Sequence, residues 1–235
     1  MNARARALGL THTRYTSASG VQASTASTAG DQVRLAMRAM NVSALRQTVA
    51  MAQATLPVAG RQYNKDALLG QDGIVGIKTG TTSRAGGCFV FAARERLAGR
   101  SITVVGAVLH QAAGQPQPSM IAAAFHATRA LLDSARRVLV MRQIVRAGAT
   151  LAWMQAPWAN PIALQAASPA SLIGWPGLRI HTTIARARQL SAPVNAGQGA
   201  GTAVVAAGEQ RESVRLISSR AVPKASLAWR LAHPS

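Results

Sequence analysis

The spacing of apolar and polar residues gives the chain two textures that meet near Arg137. Before that point helical and strand-like periods are mixed. Residues 2–8 read as a short helix ending at Gly9, and residues 11–26, small and polar, read as a loop. Ser27 or Thr28 can cap a helix running to about Met40, with Val33, Leu35, Ala36, Met37 and Met40 on its apolar face. Asp31 suits the positive end of that helix dipole. Residues 43–66 stay open between states, and Val49 to Leu56 fits either helix or irregular strand. Three strand-like runs follow, Ile74 to Thr82, Gly87 to Ala93 and Ile102 to Leu109, and their short connections predict an antiparallel meander. After the breaker at 114–118, Met120 to Arg136 has the period of a helix, which would cover one face of the sheet.

From Val138 onward, short apolar runs alternate with Gly and Pro: Val138–Val145, Thr150–Trp153, Leu178–Ile184, Ala203–Ala207 and Val214–Ile217. This pattern predicts a small all-β domain over 138–235, set after an α+β domain over 1–137. Trp158, Trp175 and Trp229 are expected to anchor its core or edges.

Charge adds a question about partners. Lys and Arg total 26 against seven acids, for a net charge of +19, which favours polyanions such as nucleic acid, anionic lipid or an acidic cell wall. The competing source is codon bias, since nearly all the cations are arginine and they are scattered along the chain. Aromatics make up 4% of residues, too few to supply stacking platforms for bases, so no nucleic-acid partner is expected. Cys88 is the single cysteine and is expected to be a packed strand residue; no disulfide can form within the chain. The five histidines are dispersed, so no metal site and no cofactor are expected. Tyr15 and Tyr63 read as ordinary packing residues. Gly76-Ile77-Lys78-Thr79 fails as a phosphate loop because Ile77 stands where a glycine must precede the lysine. No run is long and apolar enough to span a bilayer.

The strongest chemical feature is Lys78-Thr79-Gly80 within the first strand of the meander. An ammonium and a hydroxyl on one strand can hold a carboxylate by charge-assisted hydrogen bonds. The glycine clears a side chain from where a ligand backbone would lie along the strand edge. A lysine between Ile77 and Thr79 is costly unless exposed or paired. This motif does not stand alone. Met1-Asn-Ala-Arg-Ala-Arg-Ala-Leu-Gly-Leu-Thr11, Ser27-Thr-Ala-Gly-Asp31, Asn64 with Leu68-Leu69, Ala85-Gly-Gly-Cys88, Ala192-Pro-Val-Asn-Ala-Gly197 and Leu227-Ala-Trp-Arg-Leu231 occur in order along the chain. Together they resemble the serine-type D-alanyl-D-alanine carboxypeptidases, the low-molecular-mass penicillin-binding proteins.

The resemblance implies an α+β fold: part of a penicillin-binding-protein/β-lactamase-like domain over 1–137, then a C-terminal β-sandwich over 138–235. It implies acyl transfer on peptidoglycan stem peptides ending in D-Ala-D-Ala, outside the cytoplasmic membrane, with β-lactams as further partners of a full-length protein. Lys78 would bias the site positive, Thr79 would hold the terminal carboxylate, Gly80 would allow close approach, and the Thr81 backbone N–H would form half of an oxyanion hole. Two elements of the family are missing. None of Lys65, Lys78 and Lys224 has a serine three positions before it, no asparagine has one two positions before it, and no Gly-x-Ser-x-Gly elbow exists. Val75 also replaces the acid that often precedes Gly-Ile-Lys in the family. The expectation is an N-terminally truncated chain, without the nucleophile and inactive alone, any membrane association residing in the missing segments. A non-catalytic peptidoglycan-binding remnant is the alternative, and a basic nucleic-acid-binding protein a more distant one.

Overall fold

A computed structural model describes residues 1–187, 192–208 and 210–233, and the chain divides into two compact units, Met1–Arg137 and Val138–Ser235. In the first unit, α1 (Asn2–Ala7) leads through a long loop to α2 (Ala29–Ala39) and α3 (Ser43–Val49). Thr28 caps α2, its hydroxyl accepting from the Asp31 N–H. The open stretch after α3 resolves into helix and then strand, because β1 (Gln53–Leu56) and β2 (Gly60–Tyr63) close a small antiparallel hairpin. Tyr63, expected to pack, is 61% exposed on that hairpin.

The centre of this unit is an antiparallel sheet in the order β3 (Ile74–Thr82), β4 (Gly86–Leu97), β5 (Arg100–Gln111), followed by α4 (Gln117–Val138). Alternation along the strands gives it two faces. Phe89, Phe91 and Ala93 are buried with Leu68, Ile74 and the α4 residues Ala124 and Leu132. Phe89 meets Phe125 edge-on, with ring centroids 5.4 Å apart. The close seat of α4 depends on Gly87, where an added Cβ would lie 1.8 Å from the Met120 carbonyl oxygen. Arg136 ties the end of α4 to Glu95 at 2.7 Å, and Arg129 ties its middle to Asp72 at 3.0 Å. From the other side α2 packs on β5 and β4.

In the second unit, β7 (Thr150–Ala156), β8 (Ala159–Ala166), β10 (His181–Ala187), β11 (Gly199–Ala207) and β12 (Gln210–Ser218) form one antiparallel sheet, ordered β10-β11-β12-β8-β7. β6 (Val140–Val145) pairs with β9 (Ala170–Gly174) in a second. Val145, Leu172, Val205 and Val214 pack together between them, which makes a sandwich. β8 and β9 are additional to the apolar runs read from the sequence. Pro161 reads as a breaker there, yet β12 pairs with β8 only at 164–166, so the missing proline N–H costs no bond on that side. Of the tryptophans, Trp158 and Trp229 pack edge-on at 5.4 Å and Trp158 donates to the Pro223 carbonyl at 3.0 Å, anchoring α5 (Leu227–Ala232). Trp175 does not serve as expected: it is 44% exposed, just past the end of β9.

Candidate functional site

β3 is an edge strand, and its outer rim is where the chemistry gathers. Lys78 and Gly80 are exposed and Thr79 is half-buried. In the register, Lys78 lies opposite Val90 and Gly80 opposite Cys88, so these residues share the sheet face away from α4. Thr79 and Thr81 sit opposite Phe89 and Gly87 on the alternate positions. As edge residues they still border the same groove.

That groove has a volume of ≈ 650 Å³, with 78–82, Arg84 and Ala85 on one wall and the loop from Tyr15 to Ser27 on the other. Gln32 of α2, Cys88 and Val90 of β4, and Leu109 and His110 of β5 complete the lining. All four residues singled out from the sequence, Lys78, Thr79, Gly80 and Thr81, lie on it. Neither Asp nor Glu does, although Lys78 and Arg84 do. The first unit's acids are engaged elsewhere: Asp72 and Glu95 with arginines of α4, Asp133 with Arg136, Asp31 and Asp66 buried. The groove therefore offers positive charge and hydrogen-bond donors without an internal counter-ion, a setting that favours an anionic ligand.

Each wall is fixed by identifiable contacts. At its start β3 carries a bulge between Ile74 and Gly76. Gly76 has φ +132°, and a Cβ there would come within 2.8 Å of Val49 at the end of α3. Asn64 holds that same corner, donating to the Val49 and Met51 carbonyls while its own oxygen accepts from the Asp66 N–H. The loop wall is clamped by Asn2, whose side chain accepts from the Tyr15 N–H at 2.7 Å and donates to the Tyr15 carbonyl at 2.8 Å. Arg14 and Ala26 bridge the loop's ends, and the Thr16 and Thr25 hydroxyls meet at 2.9 Å.

Asp31 closes this wall from below, fully buried, accepting from the Thr13 hydroxyl at 2.7 Å and the His12 N–H at 2.9 Å. The Thr13 hydrogen bond is the main reason its carboxyl is held below the usual range, with His12 and Arg34 adding to it against the cost of burial. Asp66 goes the other way. Burial raises its pKa, partly offset by the Leu68 N–H, and its Oδ2 has no partner among the described residues.

Sequence reasoning missed the part that the loop 15–27, Arg84 and His110 play in lining the groove. Register alone could have placed Cys88, which faces Gly80 and is half-buried on the groove wall rather than packed in the core. Its thiol donates weakly to the Ala85 carbonyl at 3.5 Å. The loop gives no such signal, because its approach to β3 is purely tertiary. Among the described residues no cluster of His, Cys, Asp or Glu could hold a metal ion, and no helix is long and apolar enough to cross a membrane.

Residues 1–109 match the family model described as D-alanyl-D-alanine carboxypeptidase. Among solved structures, the chain is similar to penicillin binding protein 5 from Haemophilus influenzae, with 19% identity, TM-score 0.54, and coverage of 95% of this chain and 64% of that one. It is also similar to a peptidoglycan synthesis regulatory factor from Streptococcus pneumoniae, with 20% identity, TM-score 0.59, and coverage of 94% and 67%. At such identities the likeness is one of fold, an α+β fold of the penicillin-binding-protein type. The chain thus spans about two thirds of the length of these neighbours. No curated protein sequence matches it. Over its first 109 residues, just under half of its length, the chain is similar to the D-alanyl-D-alanine carboxypeptidase family.

Proposed function

We propose that this chain carries the carboxylate-gripping wall of a serine-type D-alanyl-D-alanine carboxypeptidase that acts on peptidoglycan stem peptides outside the cytoplasmic membrane. The observation that carries the reading is Lys78-Thr79-Gly80 on a solvent-open edge strand, bordering a groove without acids. A peptide laid along β3 adds a strand to the sheet edge, which is a common mode of peptide capture. Its terminal carboxylate is held by the Thr79 hydroxyl in the field of the Lys78 ammonium, and Gly80 leaves room for its backbone. In acyl transfer the scissile carbonyl becomes an oxyanion, which the Thr81 N–H stabilises as one of two donors. The nucleophile and the second donor belong to a serine that these 235 residues do not present in Ser-x-x-Lys form. The part assigned to this chain is binding and oxyanion stabilisation, so a non-catalytic peptide-binding role remains the second reading.

Isothermal titration of the chain with N-acetylated peptides ending in D-Ala-D-Ala, alongside gel labelling by a fluorescent penicillin, tests this. The expected result is reversible peptide binding with no covalent label on the isolated chain. Covalent labelling of these 235 residues, or no peptide binding at all, would contradict it.

A further inference from the structure

Resting on the reading above, we propose that Arg84 is a specificity residue that reads a second carboxylate, carried on a side chain upstream in the same peptide. The groove itself sets the direction in which a bound peptide runs. Its β3 wall consists of 78–82, Arg84 and Ala85, while 74–77 take no part. A peptide whose C-terminus sits at Thr79 therefore extends toward Arg84, which also makes it antiparallel to β3. Extended residues advance about 3.3 Å each, so the side chain facing Arg84 lies about two to four residues before the C-terminus.

Arg84 is free to take that part. It is exposed, and no carboxylate among the described residues pairs with it. Its backbone, by contrast, is held in place. The Ala85 N–H donates to the Thr82 hydroxyl at 3.0 Å, and the Gly114 N–H donates to the Ser83 carbonyl at 3.1 Å, pinning the turn to the loop after β5. Lys78 stands at the opposite end of the wall, its ammonium donating to the Thr79 carbonyl. Two cations spaced along a groove without acids match a ligand with two anionic groups, and the planar guanidinium suits a carboxylate bidentately.

Three N-acetylated peptides, X-D-Ala-D-Ala with X as Glu, Gln or Lys, separate the possibilities when their affinities are measured at low and at physiological salt. The wild-type chain is expected to bind the Glu peptide about three- to tenfold tighter than the Gln peptide at low salt, less so as salt rises, and the Lys peptide most weakly. In Arg84→Gln the Glu-over-Gln ratio falls to about one, and Arg84→Glu turns the preference toward Lys. An unchanged ratio in Arg84→Gln, with Thr79→Val still weakening all three peptides, overturns the role of Arg84 and leaves the carboxylate grip intact. If none of the three binds the wild-type chain, the grip itself is refuted and Arg84 loses its role with it.

Discussion

On one face of the sheet made by β3, β4 and β5, Phe89 and Phe91 are shut away against α4; on the other, Lys78, Cys88 and Val90 look onto the groove. A single alternation produces both faces, since neighbours along each strand point to opposite sides. The core face gains from burial and close packing. The groove face gives up that gain, keeping an exposed lysine and leaving positive charge unpaired. The lesson is that the chemistry stands on a strand whose position is fixed from behind, by Phe89 opposite Thr79 and by Gly87 opposite Thr81. Stability and binding should therefore separate when each face is altered.

The largest effect is expected behind the sheet. Gly87→Ala drives a methyl into the Met120 carbonyl, and Phe89→Ala opens a void beside Phe91 and Phe125. Each should cost roughly 3 kcal/mol or more, read as a drop in the urea midpoint. Along the groove rim, Thr79→Val and Lys78→Ala should shift unfolding by less than about 1 kcal/mol. The same changes should weaken binding of a D-Ala-D-Ala peptide by about tenfold or more, because a hydrogen bond to a charged group is lost. If stability fell as far for these as for Phe89→Ala, the division between the faces would be wrong.

A smaller effect concerns Thr128 of α4, fully buried with a hydroxyl that finds no partner among the described residues. Thr128→Val should be neutral or stabilising by about 1 kcal/mol in thermal unfolding, since an unsatisfied polar group is removed. The mildest test is pH. Asp31 has a lowered pKa, so its stabilisation is complete above the ordinary carboxylate range and is lost as pH falls through the depressed value. Asp66 has a raised pKa, so its cost appears as pH rises from the ordinary range through the elevated one. Acid should thus loosen the loop wall held by Asp31. The stability difference between wild type and Asp66→Asn should move in the mutant's favour as pH increases, measured by denaturant titration at several pH values.

Much of the sheet was legible in the sequence because its signals are local. The strand-like runs from Ile74 onward, with their short connections, mark the meander that holds β3, and the helical period from Met120 marks α4. Lys78-Thr79-Gly80 stood out for a physical reason, a charge placed within an apolar strand. What could not be read was whatever depends on contacts distant in the chain. Asn2 clamps Tyr15, and the loop 15–27 faces β3 from more than fifty residues upstream, a pairing that no periodicity encodes. Arg84 carries no sequence signal of its own, and its place on the groove is a tertiary feature. In the second unit β8 was hidden by Pro161, whose effect depends on which edge of the strand is paired.

The central claim is that the rim of β3 holds a peptide's terminal carboxylate, and the most direct measurement compares two ligands differing only there. A D-Ala-D-Ala peptide with a free C-terminus and its C-terminal amide can be titrated against the wild-type chain and Thr79→Val at physiological salt. The free acid should bind the wild type about tenfold or more tightly than the amide, and that advantage should shrink in Thr79→Val. Equal affinity for acid and amide, or an acid preference untouched by Thr79→Val, would contradict the assignment.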